Sequence, residues 1–187
     1  MYQESQHLYF IALIPPETLC EEIKNLKEEM RSRFNTKHAL KSPAHITLQM
    51  PFKRPVKDEN EIVNQLRDFA SLQSTFHIGL KGFDCFKPRV IFIKIENHLP
   101  IIKLHKQLNQ LLKKELDFKD NELTAKIHPH ITIATRDLSI DGFKNAWPEY
   151  DKRDFKRLFT VKSLFLLKHN GKSWDIYKEF PFNNKNI

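Results

Sequence analysis

Read from the N-terminus, the hydrophobic and polar positions fall into a repeating order of elements. Leu8 to Ile14 is a continuous apolar run of strand length, which predicts a central strand covered on both faces, and Pro15-Pro16 ends it. From Glu17 to Phe34 the apolar residues Leu19, Ile23, Leu26, Met30 and Phe34 follow the 3.6-residue period of an amphipathic helix. A basic connector with Lys37, His38 and Lys41 leads to a strand at about Ala44 to Met50, closed by Pro51 and Pro55. The next helix is predicted from Asp58, paired with Glu61 in a capping box, with Ile62, Val63, Leu66, Phe69 and Ala70 as its buried stripe. Phe76, Ile78 and Leu80 then alternate with polar residues as a strand, and Gly82 to Arg89 reads as a loop.

The pattern then starts again. Val90 to Ile95 is a second apolar strand, and Pro100 opens a helix with Ile101, Leu104, Leu108, Leu111 and Leu112 on one face, running to about Leu116. A polar loop, Asp117 to Glu122, precedes another strand around His130. A shorter helix follows around Ile140, Phe143 and Trp147, ended by Pro148. Leu158 to Lys168 and Trp174 to Phe182 read as strands joined around Asn170-Gly171, a dipeptide suited to tight hairpins because both residues tolerate positive φ. Both halves thus read strand, helix, strand, helix, strand, with a hairpin strand added at the end. This order predicts an internal duplication and one bilobal domain over residues 1–187, without a flexible linker.

The second strand of each half carries the candidate chemistry. His45-Ile46-Thr47-Leu48 and His130-Ile131-Thr132-Ile133 lie 85 residues apart (130 − 45). Successive strand side chains point to opposite faces, so in each copy His and Thr share one face and the aliphatic pair the other. Two imidazoles can serve as general base and general acid on one phosphodiester, because histidine titrates near neutral pH. The Thr47 and Thr132 hydroxyls can donate to nonbridging phosphate oxygens, where charge accumulates in the transition state. His128, two residues before His130, can share its face across Pro129. The other histidines, His7, His38, His77, His98, His105 and His169, read as structural or surface residues. Zinc is the competing use of clustered histidine, but the third and fourth ligands at supporting spacing are missing, so neither metal nor cofactor is expected.

Composition narrows the class. The 187 residues are 40% hydrophobic with no apolar run of membrane-span length and no secretory signal pattern, so a soluble, packed protein away from the membrane is expected. Two isolated cysteines, Cys20 and Cys85, suit reduced thiols in a cytoplasm. A net charge of +8 favours a polyanionic partner.

Taken with their surroundings, these motifs resemble the 2H phosphoesterase superfamily, the two-histidine group that includes the 2',5' RNA ligase-like cyclic phosphodiesterases. The resemblance extends from LYFIALIPPE at the start through GFDCFKPRVIFI in the middle to WDIYKEFPF at the end. It implies an α+β bilobal fold with two pseudo-symmetric lobes, each with an antiparallel sheet and flanking helices, and an active-site cleft between them. It also implies metal-independent action on 2',3'-cyclic phosphate or 2',5'-linked RNA ends, by cleavage or ligation. His45 and His130 then take the catalytic positions and Thr47 and Thr132 the phosphate-binding ones. Members of the bacterial ligase type often carry a basic residue five positions after the second motif histidine; here that position is Thr135, and Arg136 follows it. Arg136, Lys53, Phe52 and His128 are the further candidates for substrate binding, Phe52 by stacking on a base and Lys53 by backbone charge. The expected partner is an RNA end or a cyclic nucleotide, held by a monomer; the alternative is an RNA- or nucleotide-binding protein with the same cleft and little catalysis.

Overall fold

The computed structural model describes residues 5–183. The chain forms β1 (Gln6–Leu13), α1 (Glu17–Phe34), β2 (Ile46–Pro55), α2 (Glu59–Ser71), β3 (Phe76–Phe86), β4 (Val90–Ile95), α3 (Leu99–Glu115), β5 (His130–Ala134), α4 (Ile140–Tyr150), β6 (Lys156–Val161), β7 (Ser163–His169) and β8 (Trp174–Pro181). Two four-stranded sheets result, in the orders β2-β1-β7-β8 and β5-β4-β3-β6, with every neighbouring pair antiparallel. This is the α+β bilobal architecture expected from the sequence. One hydrophobic cluster runs through both sheets, from Tyr9 and Ile11 of β1 to Ile91 and Ile93 of β4, so the lobes share a core. No helix among the described residues is long and apolar enough to cross a membrane.

The lobes are not the two halves of the chain. β3 crosses from the first half into the second sheet, and β7 and β8 return from the second half to the first. Helices cross as well: α1 leaves the first sheet to pack on β5, and α3 leaves the second to pack on α2 and β2. The run Leu158 to Lys168, continuous in hydropathy, is therefore two strands in different sheets. The break is at Lys162, whose carbonyl accepts the Phe182 N–H at 2.8 Å.

Four boundaries differ from expectation for local reasons. β2 continues through Pro51 to Pro55, which an edge strand tolerates because one side of its backbone has no ladder partner. β3 continues through Gly82: the glycine (φ 63°) sits in a bulge, where Lys81 and Gly82 together oppose Lys94 alone. Asp58 makes no side-chain cap, because residues 56–58 form a 3-10 turn leading directly into α2. Pro148 lies inside α4, close enough to its end that the helix closes past it with Asp151 N–H donating to the Trp147 carbonyl at 2.9 Å.

Glu59, the first residue of α2, fastens that helix to the first sheet. Its carboxylate accepts from the hydroxyls of Tyr9 and, at 2.5 Å, Tyr177, and from the Lys168 ammonium at 2.7 Å. Burial opposes its ionisation, but these three donors win and bring its pKa from 4.5 down to about 2. A depressed carboxyl pKa stabilises the fold above the unfolded value and loses that contribution as pH falls through the folded one. Glu59→Gln is expected to cost about 2–4 kcal/mol at neutral pH, the range for breaking a buried charged network. The difference from wild type should shrink between about pH 4.5 and about pH 2, as followed by urea unfolding across that range.

Candidate active site

The two motif strands, β2 and β5, are edge strands of their sheets and touch each other. Ile46 and Ile131 are each wholly buried, as are Leu48 and, at 1% exposure, Ile133. With those side chains in the core, alternation turns Thr47 and Thr132 the other way, together with His45 just ahead of β2 and His130 at the start of β5. All four line a single cleft of about 450 Å³.

The two strands share an irregularity that hydropathy does not reveal. Thr47 stands opposite Ala12 and Gln49 opposite Ile11, leaving Leu48 as an extra residue. In the same way Thr132 stands opposite Phe92 and Ala134 opposite Ile91, leaving Ile133 as the extra residue. Each strand therefore bulges directly after its threonine, which breaks the alternation and places two consecutive residues, Leu48-Gln49 and Ile133-Ala134, inward. Beyond the bulges, Met50-Pro51 and Thr135-Arg136 line the cleft.

The histidines are held alike. His45 Nδ1 faces the Pro43 carbonyl at 2.8 Å and His130 Nδ1 faces the His128 carbonyl at 2.5 Å. A carbonyl only accepts, so each Nδ1 carries the proton and each Nε2 presents a lone pair to the cleft. Each ring also leans on a phenylalanine of the adjacent strand, Phe10 for His45 and Phe92 for His130, with centroids 4.9 and 4.7 Å apart. Trp174 packs on Phe10 and Phe86 on Phe92, each at 4.6 Å, so an aromatic flanks each histidine and lines the cleft. Burial lowers the pKa of both imidazoles, that of His45 to about 4, with the positive charge of Lys27 adding to the shift. The Pro43 and His128 carbonyls pull in the opposite direction without overcoming burial.

The walls are basic. Lys41, Lys126 and Arg136 line the cleft beside His38 and His128, and no Asp or Glu is among the lining residues. Arg136 reaches the wall because β5 ends at Ala134 and the arginine takes a left-handed conformation (φ 51°), closed by Asp137 N–H to the Thr135 carbonyl at 2.6 Å. Asp137 then accepts from the Thr36 hydroxyl at 2.6 Å and from the Lys37 and His38 amides, tying this turn to the connector that carries His38 and Lys41. The opposite wall, Thr124 to His128, lacks regular structure. It is laced to β2 by Gln49, whose side-chain amide donates to the Glu122 carbonyl at 2.8 Å and accepts the Thr124 N–H at 3.0 Å.

Two of the expected binding residues lie elsewhere. Phe52 is 5% exposed and packs between Tyr9 and Phe118, so a base cannot stack on it. Lys53 is exposed beyond the bulge, opposite Leu8, and does not line the cleft. The bulge at Met50-Pro51 opposite Phe10 separates both residues from the cleft face. Conversely, His38, read as structural or surface, lines the cleft, and so do Lys41, Lys126, Phe86 and Trp174. Only the charge of the 37–41 connector hinted at the first two. His98, also read as structural or surface, packs edge-on against His128 at 5.1 Å. Among the described residues no group of three or more His, Cys, Asp or Glu side chains is placed to hold a metal.

The family model described as the 2'-5' RNA ligase superfamily matches residues 15–173 of this chain. The chain belongs to that superfamily. A Bacillus pumilus (strain SAFR-032) protein, whose name assigns it provisionally to the phosphoesterases, is 28% identical over 176 residues, covering 92% of this chain and 95% of that one. Among solved structures, TT0787 of Thermus thermophilus superposes with a TM-score of 0.68 at 20% identity, over 96% of this chain and 100% of that one. Apo LigT of E. coli gives 0.66 at 15% identity, over 96% and 99%. These structural matches concern the fold, which is that of the 2H phosphoesterases.

For this 2H site, nitrogen-15 NMR of the imidazoles is expected to find the Nδ1–H tautomer at both His45 and His130 near pH 7. His45 should titrate with a midpoint of about 4 and His130 below the ordinary 6.5. An Nε2–H tautomer at either position would contradict the arrangement.

Proposed function

We propose that this superfamily member is a metal-independent phosphoesterase acting on RNA ends or small cyclic nucleotides, with His45 and His130 as its acid–base pair. The observation that carries this reading is the equal presentation of two Nε2 atoms into one acid-free basic cleft. In hydrolysis of a 2',3'-cyclic phosphate, one imidazole takes a proton from water as its oxygen bonds to phosphorus. The other, protonated, gives its Nε2 proton to the departing 3'-oxygen as the P–O bond breaks, leaving a 2'-phosphate and a 3'-hydroxyl. Thr47 and Thr132 donate to the nonbridging oxygens as charge builds there. The same steps with a 5'-hydroxyl in place of water join RNA ends through a 2',5' linkage, and their reversal, with the 3'-hydroxyl attacking and the 5'-oxygen leaving, cleaves such a linkage to a 2',3'-cyclic phosphate.

The remaining walls suit a nucleotide. Trp174, Phe86 and the 54%-exposed Met50 offer apolar surface to a base or ribose, and Arg136, Lys41 and Lys126 offer charge to phosphate. LigT of E. coli has been solved with 3'-AMP bound, which agrees with a nucleotide in a cleft of this fold.

Purified protein should open a 2',3'-cyclic nucleotide in the presence of EDTA, with the product identified as the 2'- or 3'-phosphate by chromatography. His45→Ala and His130→Ala should each lower the rate by roughly 10²- to 10⁴-fold, the range for losing a general acid or base. Saturable oligonucleotide binding without turnover of cyclic, 2',5'-linked or ligation substrates would instead identify a binding protein. Arg136→Ala should raise KM about tenfold, with a smaller effect on kcat, consistent with loss of a charged hydrogen bond to phosphate.

A further inference from the structure

Lys27 is 3% exposed, the only Lys, Arg, Asp or Glu among the described residues to be buried. Such a position is unfavourable for an ammonium unless it is paired and hydrogen-bonded. It donates one hydrogen bond, to the Ser42 carbonyl at 3.0 Å, and no carboxylate of the described residues pairs with it. Burial lowers its pKa to about 8, which leaves it charged at neutral pH. Ser42 lines the active-site cleft, and the next residue, Pro43, supplies the carbonyl that orients His45. A small cavity behind this segment is lined by Lys27 with Cys20, Glu21, Lys24 and Glu28 of α1 and by Lys41 from the connector. Of these groups Lys27 is the one whose charge acts on His45, together with His130 from across the cleft.

The arrangement has no counterpart at the second histidine. His130 is flanked by the imidazoles of His128 and His98, which are themselves titratable. A fixed cation stands behind one member of the pair and imidazole rings beside the other.

We propose that Lys27 is a positioning residue for His45. Its hydrogen bond to the Ser42 carbonyl fixes the segment whose next carbonyl, that of Pro43, holds the ring, and its charge keeps His45 the proton acceptor and leaves His130 the donor. The inference rests on the acid–base reading above and assigns its direction. Water loses its proton to His45 Nε2 as the new O–P bond forms. His130 Nε2–H supplies the proton to the 3'-oxygen as the old bond breaks.

The direct test is NMR titration of the imidazoles in the full chain, comparing wild type with Lys27→Met and with the charge-retaining Lys27→Arg. In Lys27→Met the His45 midpoint should rise by about one pH unit, the size expected from removing a nearby charge in a protein interior, while His130 stays within about 0.2. Lys27→Arg should leave the His45 midpoint near the wild-type value, which separates loss of charge from loss of packing. A His45 midpoint unchanged in Lys27→Met overturns the proposal.

The pH dependence of kcat/KM on a 2',3'-cyclic nucleotide then decides the direction. A base must be unprotonated, so a higher His45 pKa moves the acidic limb upward by the NMR shift and leaves the alkaline limb in place. Movement of the alkaline limb instead would make His45 the acid and overturn the assignment. If no substrate turns over in wild type, the phosphoesterase reading fails, while the NMR comparison still decides whether Lys27 controls His45. A thermal melt gives a further readout: Lys27→Met should raise Tm, since replacing an unpaired buried charge with an apolar chain of similar length is favourable. A variant that melts lower and leaves His45 unshifted identifies Lys27 as structural only.

Discussion

The site depends on the burial of Ile46 and Ile131. Each is the single residue between a histidine and a threonine, each is 0% exposed, and each belongs to the core that both sheets share. Strand geometry leaves no freedom after that: with the isoleucine inside, its neighbours on both sides face out. Because β2 and β5 are the edges where the sheets meet, facing out means facing the same cleft. Hydrophobic burial thus aims four polar side chains. A one-residue slip in either strand would send the histidine and threonine into the core and the isoleucine into the cleft.

The paired bulges at Leu48 and Ile133 extend this constraint. Without them alternation would continue, and the residues beyond each threonine would be divided between core and cleft. With them the strand turns away one residue early, and the next pair of residues becomes cleft wall. The same device explains why an arginine six positions after His130 still reaches the site. Bulge, strand end and left-handed turn together move it there, and Asp137, within the turn, ties it to Thr36 and Lys37 of the connector after α1.

Much of this was legible in the sequence because the elements are locally consistent. The stripe from Leu19 to Phe34 has one period and no competing signal, and α1 occupies that span. The two His-x-Thr strands were likewise readable, since two copies in equivalent places are hard to produce by accident. What escaped depends on partners distant in the chain. Gly82 reads as a loop, but its positive φ serves a bulge whose existence depends on β4. Phe52 looks available just after a motif, yet it is buried against Tyr9 and Phe118, residues 43 positions before it (52 − 9) and 66 after it (118 − 52). Trp174 and Phe86 enter the site only because hairpins of opposite lobes fold over it, and His38 only because Asp137 anchors its connector. The crossing of β3, β7 and β8 between sheets leaves no trace in hydropathy, because either sheet buries the same kind of strand.

Two lobes that present their motif strands alike pose a chemical difficulty that their likeness cannot resolve. Two histidines with the same tautomer, the same carbonyl support and the same phenylalanine behind them are equivalent, whereas proton transfer across a phosphodiester has a direction. One nitrogen must begin empty and the other loaded. The carbonyl and phenylalanine that hold each ring do not distinguish them, so the difference has to come from the other neighbours. There the surroundings do diverge: a buried ammonium with no carboxylate partner among the described residues stands behind His45, and the half-buried His98 and exposed His128 rings accompany His130. The Lys27 ammonium biases its neighbour throughout the neutral range below its pKa of about 8, while an imidazole does so only when it is itself protonated. On that physical ground the proposed reaction would take its geometry from the features the two motif strands share and its direction from the residues in which their surroundings differ.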